Sequence, residues 1–190
     1  MSKSKYVDQE TLSELIKTRD RIIPERNHIM NYSGIDILDN DTISSLFMWE
    51  LVSQYDSDFT VNFARNGEDG QSNGIITEHK CCNIYPRKDG SIRLGSFQFH
   101  AMGQLEYSRF IFAACCKKTL EFRRLYDIAQ YENVQKIVDC LMKQREQWLS
   151  RGQKDHTKMK RDVIYVKEQF LQSFDLDLIT TMNNCEVYRG

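Results

Sequence analysis

Residues 66–85 of the chain, NGEDGQSNGIITEHKCCNIY, join a polar turn to an extended run. The turn region is rich in Gly, Ser and Asn and carries Asp69, whereas residues 75–85 contain no Gly or Pro, which is typical of a strand. Side chains two residues apart in a strand point to the same face, so Glu78 and Lys80 are expected side by side. Asp69 precedes the strand and is placed to fold back toward them. The apolar residues predicted on this face are core residues: Ile76, Cys82 and Ile84.

Two carboxylates and one amine at this spacing suit metal-assisted cleavage of a phosphodiester. Mg²⁺ prefers oxygen ligands and takes only one or two protein carboxylates, here Asp69 and Glu78. The ion stabilises charge on a phosphate and lowers the pKa of a bound water. A partly desolvated lysine, here Lys80, can orient that water or accept its proton. The alternative is a solvated ladder of ion pairs on an edge strand.

Composition indicates one ordinary globular domain. The 190 residues are 41% apolar and 28% charged, which is enough for a full core. No apolar run approaches the roughly 20 residues that cross a membrane, and the N-terminus does not resemble a signal peptide, so we expect a cytoplasmic protein that does not enter the membrane. The six cysteines form no C-x-x-C motif, and four of them occur as adjacent pairs in apolar runs. This pattern favours buried, reduced thiols over a zinc site or disulfides.

Charge is distributed unevenly along the chain although its net value is −1. Residues 1–58 carry a net charge of −5, whereas residues 143–167, with eight basic and three acidic residues, carry +5. The basic region is consistent with contacts to an anionic partner. A solvated helix face followed by a charged loop is the alternative.

Hydrophobic periodicity predicts a mixed α/β core. The apolar run at residues 109–116 is nearly continuous, as in a strand covered on both faces. A first helix over 7–23 is expected to end at Pro24, and a third helix is expected to be capped by Asn133. Residues 167–190 receive no assignment. The remaining predictions are a helix over 38–52, strands over 59–63, 91–99, 120–128 and 163–166, and a hairpin turn at 86–90 between the central strand and the next.

Five segments in the same order resemble PvuII-type restriction endonucleases, and Asp69, Glu78 and Lys80 form the D-x8-E-x-K pattern of the PD-(D/E)xK nuclease superfamily. The resemblance extends over about residues 8–166. It is carried by ILDNDTISSL, GEDGQSNGIITEHK, GSFQFHAM, FIFAACC and WLSRGQKDHTKMKRDVIYV.

The resemblance implies a restriction-endonuclease-like fold, a mixed central β-sheet flanked by helices. It also implies a homodimer that uses Mg²⁺ to cut a short palindrome in duplex DNA to blunt ends, together with a companion DNA methyltransferase. By this resemblance Asp69 and Glu78 are metal ligands, the backbone carbonyl of His79 is a further ligand, and Lys80 positions or deprotonates the water. Strand alternation turns the His79 side chain away from Glu78 and Lys80.

The resemblance also indicates residues that contact DNA. The family's histidine triplet is reduced to its middle member, His100, and its asparagine pair corresponds to Thr157 and Lys158. These changes fall where bases are read, so cleavage is expected to be shared while the recognition sequence differs. Asp39 matches an acid near the minor groove, although Asp39 and Asn40 also suit a helix cap. The predicted DNA-contacting set is Asp39, Asn40, His100, Lys154, Thr157, Lys158, Lys160 and Arg161.

We therefore predict a single domain over residues 1–190. Its expected parts are a helical dimerisation part (1–58), a catalytic sheet (59–130), a helix with a basic DNA-contacting loop (131–166) and a C-terminal extension (167–190). Two other functions stay open. One is a nuclease of the same superfamily that acts on structured DNA in repair or recombination, and the other is a non-catalytic DNA-binding protein on a nuclease fold.

Overall fold

A computed structural model describes residues 9–36, 40–62, 68–84, 86, 88–98, 106–116, 121–150, 163–182 and 184–190. The chain divides into two compact units, residues 1–46 and 47–190. Four helices are described: α1 (Gln9–Ser33), α2 (Asn40–Val52), α3 (Tyr131–Ser150) and α4 (Glu168–Leu171). The described strands are β1 (Thr60–Val61), β2 (Gly70–Ser72), β3 (Ile75–Asn83), β4 (Arg93–Gln98), β5 (Arg109–Cys116), β6 (Glu121–Ile128), β7 (Val163–Lys167), β8 (Asp177–Met182) and β9 (Cys185–Arg189). None of these helices has the length and apolar character needed to cross a bilayer.

Helix α1 in the first unit continues past the proline at which it was predicted to end. Pro24 lies inside the helix, where it cannot donate the usual backbone hydrogen bond to residue i−4. The end of α1 is set instead by Gly34, which adopts φ +72° and donates its N–H to the Met30 carbonyl at 2.7 Å. Glycine adopts this left-handed conformation without a steric penalty, which makes it a common residue at the end of a helix. The helix therefore ends at Gly34 and not at Pro24. Arg26 also forms an ion pair with Asp36 just beyond the helix end.

The second unit is built on a seven-stranded mixed sheet in the order β1-β2-β3-β5-β6-β9-β8. Strands β1, β2 and β3 are antiparallel neighbours, whereas β3 runs parallel to β5 and β6 runs parallel to β9. The mixed α+β class, with a central sheet flanked by helices, is therefore confirmed. The strand predicted at 59–63 is limited to β1 within the described residues.

The predicted hairpin between the central strand and the following one is wrong. Strand β4 forms a separate two-stranded sheet with β7, and the place beside β3 is taken by β5. Gly95 explains part of this, because it has φ +68° and lies at a register shift in β4. A Cβ at Gly95 would lie 2.6 Å from the Phe112 ring, so β4 packs against the face of the main sheet and does not extend it.

Each face of the sheet carries its own hydrophobic core, and β5 contributes to both. On what we call the α3 face, Phe110, Phe112 and Ala114 pack with residues of α3, β4 and β7. On the α2 face, Ile111, Ala113 and Cys115 pack with Met48, Leu51, Val52 and Phe59. The prediction that residues 109–116 form a strand covered on both faces is confirmed.

Helix α3 begins two residues before its predicted cap. Asn133 is buried inside the helix, and the Gln130 carbonyl accepts hydrogen bonds from the N–H groups of both Asn133 and Val134.

Residues 167–190, which received no prediction, supply α4 and two strands of the main sheet. Strand β9 lies between β6 and β8 and buries Cys185 and Val187 on the α2 face. Its alternation of buried and less buried residues was a readable strand signal in CEVYR.

Candidate functional site

A tight hairpin brings the two acidic residues together. Strands β2 and β3 are joined by Asn73 and Gly74, whose φ angles are 49° and 79°. Positive φ at both central residues is characteristic of the type I′ turn, for which Asn-Gly is a preferred sequence. The last pair of the hairpin is Gly70 facing Thr77, so the next step along the two chains places Asp69 opposite Glu78.

The backbone of β3 holds the Asp69 carboxylate in place. Asp69 Oδ2 accepts a hydrogen bond of 3.0 Å from the His79 N–H, and the Asp69 N–H donates to the Thr77 carbonyl at 3.1 Å. The N–H and C=O groups of one strand residue point to the same edge. The His79 carbonyl is therefore directed toward the side on which Asp69 lies, while the buried His79 ring lies on the opposite face from Glu78 and Lys80.

The amine of Lys80 lies beside both carboxylates. Its Nζ forms an ion pair with Glu78 Oε1 and lies 3.8 Å from Asp69 Oδ2. The ammonium also lies 5.5 Å from the centre of the Phe97 ring, within the range of a cation–π contact. The three side chains thus form one cluster, which we call the acid–lysine cluster: Asp69, Glu78 and Lys80.

Exposure increases across the acid–lysine cluster. Glu78 is fully buried on the α3 face, where Phe110 is its neighbour on β5, whereas the side chains of Lys80 and Asp69 are 20% and 31% exposed. The site therefore has a buried inner acid and an accessible outer edge.

The predicted core position Ile76 is 42% exposed instead, because β5 begins only beside Thr77 and leaves the hairpin tip uncovered.

Burial dominates the electrostatics of Glu78. Loss of solvent raises the pKa of its carboxyl group to about 7, and the negative charge of Asp69 raises the pKa as well. The positive charge and hydrogen bond of Lys80 act in the opposite direction. A buried carboxyl group with a perturbed pKa next to a second carboxylate and a lysine is typical of sites that bind or react.

The donor set of the cluster fits a hard divalent cation. Glu78 Oε2 is buried and has no hydrogen-bond partner within the described part of the chain. A cation would satisfy such an oxygen and would also relieve the repulsion between the two carboxylates. Among the described residues no group of three or more His, Cys, Asp or Glu side chains is placed to hold a metal ion. Two carboxylates are nevertheless the usual protein contribution to Mg²⁺.

Most of the predicted DNA-contacting residues fall outside the described residues. Asn40 is the first residue of α2, and its side chain is not described. The others, all outside the described ranges, are Asp39, His100, Lys154, Thr157, Lys158, Lys160 and Arg161.

Two aromatic residues near the cluster were not anticipated. Phe97 of β4 is the ring that faces the Lys80 ammonium. Tyr107 lies just before β5, and the pKa of its hydroxyl is raised by burial and by the negative charges of Glu78 and Asp69. Both residues lie beyond the motif in sequence and reach the cluster through tertiary packing. The signals that could have found them are the position of Tyr107 two residues before a buried strand and the alternation that turns Phe97 toward the core.

The acid–lysine cluster places two carboxylates beside one hydrogen-bond donor, with its outer edge accessible to solvent. Such an arrangement can hold a divalent ion and place an ammonium group beside it. The sequence matches no protein-family model, and no curated protein matches it.

Proposed function

We propose that this chain is a Mg²⁺-dependent nuclease of the PD-(D/E)xK type that hydrolyses phosphodiester bonds in duplex DNA. The observation that carries the proposal is the cluster itself, in which Asp69 lies opposite Glu78 and the Lys80 ammonium lies beside both carboxylates. The mixed sheet flanked by helices is compatible with the nuclease core that the D-x8-E-x-K motif suggests.

In this proposal Asp69 and Glu78 hold Mg²⁺, with the His79 carbonyl as a further ligand. When bound, the ion supplies charge stabilisation at the phosphate and lowers the pKa of a water. The His79 N–H orients Asp69 through its hydrogen bond. The buried position of Glu78 keeps competing solvent away from the inner ligand. Lys80 directs its ammonium protons to a phosphate oxygen or to the attacking water, and the Phe97 ring limits where that ammonium can go.

We further propose that the enzyme is a type II restriction endonuclease. The five segments shared with PvuII-type enzymes and the basic character of residues 143–167 support this narrower reading. A two-fold homodimer would present two acid–lysine clusters to the two strands of a palindrome, so that both strands are cut. Blunt ends follow from the same resemblance, and a companion methyltransferase would protect the host DNA.

A plasmid of known sequence tests both levels of the proposal. We expect discrete fragments with blunt ends in the presence of Mg²⁺ and no cutting with a chelator. Lys80→Ala should lower cutting by a factor of at least about 100 and retain duplex binding, because it removes the positioned amine without removing either carboxylate. The matched control is Lys88→Ala, which changes an exposed lysine in the turn after β3.

The other outcomes of this digestion are informative. A smear without fixed ends would contradict the sequence-specific part of the proposal. Preferential cleavage of branched over linear duplex DNA would favour a repair or recombination nuclease. Duplex binding without metal-dependent hydrolysis would favour a non-catalytic DNA-binding protein.

A further inference from the structure

The strand next to Asp69 has little backbone pairing to hold it. Strand β2 contains three residues, and its outer neighbour β1 contains two. So few backbone hydrogen bonds fix the position of β2 only weakly, because short strand pairings have little stability on their own. A carboxylate that binds a metal has to be placed within a fraction of an ångström. Some other interaction must therefore fix β2 against the sheet.

A buried ion network beneath the hairpin provides such an interaction. Arg109, at the start of β5, is only 2% exposed and donates from Nε and Nη2 to the two carboxylate oxygens of Asp127, both at 2.7 Å. Its Nη1 donates to Asp56 Oδ2, also at 2.7 Å. Asp56 Oδ1 in turn accepts a hydrogen bond of 2.8 Å from the hydroxyl of Ser72 in β2. We call these four residues the Arg109 network.

A second contact from the same arginine reaches the other end of β2. The guanidinium carbon of Arg109 lies 5.5 Å from the centre of the Phe59 ring. That ring packs so closely on Gly70 that a Cβ there would lie 3.0 Å from Phe59 Cζ and 2.6 Å from the Thr60 carbonyl oxygen. Gly70 directly follows Asp69. Arg109 is thus connected to both ends of β2, through Asp56 to Ser72 and through Phe59 to Gly70.

The charge state of Asp56 suits this role. Burial acts to raise the pKa of its carboxyl group, but the hydrogen bond from Ser72, together with the hydrogen bond and charge of Arg109, lowers the pKa below its ordinary value. Asp56 is therefore an anion that accepts hydrogen bonds from two different strands. Buried ion pairs contribute little net stability compared with apolar packing, whereas they fix geometry through directional hydrogen bonds.

We infer that the Arg109 network, acting through Asp56 and Ser72, positions β2 so that Asp69 stays opposite Glu78 in the metal site. Asp56 and Ser72 are positioning residues, since they contact neither the metal ligands' oxygens nor a substrate. The inference rests on the proposed function, because it assigns the network to the metal site of that function.

Mn²⁺ binding to the full-length chain, measured by electron paramagnetic resonance, tests the inference without relying on cleavage. Mn²⁺ serves as the probe because it shares the octahedral oxygen coordination of Mg²⁺. Ser72→Ala and Asp56→Asn are each expected to raise the Kd for Mn²⁺ roughly tenfold, because they remove the structural support of a metal ligand. Ser72→Thr, which retains the hydroxyl, is expected to bind more tightly than Ser72→Ala.

The matched control is Tyr55→Phe. The Tyr55 hydroxyl donates to Asp127 Oδ2 at 3.2 Å, so this variant removes a hydrogen bond from the same region and leaves the arm from Asp56 to Ser72 intact. Its Kd for Mn²⁺ should equal that of the wild type, even if its melting temperature falls. Circular dichroism identifies any variant that does not fold. If one of Ser72→Ala and Asp56→Asn does not fold, the other is sufficient to test the inference.

Two failures are distinguishable in this experiment. If Asp69→Ala weakens Mn²⁺ binding but Ser72→Ala and Asp56→Asn bind as the wild type does, the metal site stands and the inference is overturned. The inference is also overturned if Tyr55→Phe weakens binding as much as Ser72→Ala, because the effect then follows general stability. If the wild type binds no Mn²⁺, or Asp69→Ala binds unchanged, the proposed metal site is wrong and the inference falls with it.

Discussion

Glu78 is a carboxylate in an environment that disfavours a negative charge. It is fully buried, it lies opposite Asp69, and its Oε2 has no hydrogen-bond partner among the described residues. Lys80 compensates for part of this cost through its ion pair. A fold that needed only stability would place an apolar residue at this position. In the proposed metal site, a bound cation would offset this cost at Glu78.

At the residue scale we predict that Glu78 makes the metal-free protein less stable as pH rises. The pKa of Glu78 is about 7 in the folded chain and ordinarily 4.5, so the folded state holds a proton that the unfolded state releases between these values. Stability due to this group is thus present below about pH 4.5 and is lost as pH rises to about 7. At about 1.4 kcal/mol per pKa unit, the rise in pKa from 4.5 to about 7 corresponds to a loss of at most about 3.5 kcal/mol.

Urea unfolding in the presence of a chelator measures this effect. Glu78→Gln should be more stable than the wild type at pH 8, and the difference should shrink at pH 5. Glu50→Gln, on an exposed position of α2, serves as the control and should show no such trend. A stability difference for Glu78→Gln that is the same at both pH values would contradict the raised pKa of Glu78.

The β2–β3 hairpin brings Asp69 and Glu78, which are separated in the sequence, next to each other in the structure. Eight residues separate Asp69 from Glu78, and the two-residue turn at Asn73 and Gly74 sets the register that makes them neighbours. A slip of one residue in this register would turn every side chain of β2 to the other face. The position of Asp69 therefore depends on the conformation of a turn that contains no residue of the acid–lysine cluster.

At the element scale we predict that Gly74→Ala lowers both stability and metal affinity. Gly74 has φ +79°, and an alanine there pays about 1 kcal/mol for the left-handed conformation. Gly90→Ala is a well-matched control, because Gly90 has φ +74° and, like Gly74, has open space around the added Cβ. Both variants should lose similar stability by urea unfolding.

Only Gly74→Ala should also weaken Mn²⁺ binding, because only that turn sets the register of the hairpin. Equal metal affinities for the two glycine variants would show that the turn does not control the position of Asp69.

At the scale of the molecule, the unit formed by residues 47–190 has the acid–lysine cluster on one face of its main sheet and the Arg109 network on the other. The acid–lysine cluster adjoins the α3 face, where Glu78 lies beside Phe110. The Arg109 network and the His79 ring adjoin the α2 face, with Phe59 and Ile111. The short strand β2 connects them, because Asp69 directly precedes β2 and Ser72 is its last residue. Metal binding on one face is thus expected to stabilise the packing of both.

We predict that Mg²⁺ raises the melting temperature of the full chain at constant ionic strength. A ligand that binds only the folded state adds about 2.7 kcal/mol of stability at a concentration of 100 times its Kd. Asp69→Ala should abolish the Mg²⁺-dependent shift, whereas Glu146→Ala, at an exposed position of α3, should retain it. The measurement is thermal unfolding with Mg²⁺ or with a chelator. An undiminished shift in Asp69→Ala would place the metal elsewhere.

The sequence by itself determined the strands whose signal is local. The apolar run of β5, the alternation in β3 and the boundaries of β6 and β7 were all readable, because backbone sterics and burial on a strand act over a few neighbouring residues. The acidic spacing that leads to the acid–lysine cluster was readable for the same reason. Strand β2 was not predicted, because its residues Gly70–Ser72 fall in a stretch rich in Gly, Ser and Asn that was assigned to a turn.

Only the tertiary structure decided which strands are neighbours and which charges are buried. It paired β4 with β7 where a hairpin with β3 was expected, placed β9 beside β6, and joined Arg109 to Asp127 and Asp56 across 18 and 53 residues of sequence. These choices depend on packing energies summed over distant segments, and a local pattern carries no information about them. The Asp69–Glu78 pair needed both: a local turn to bring the two acids together and a long-range ion network to anchor β2.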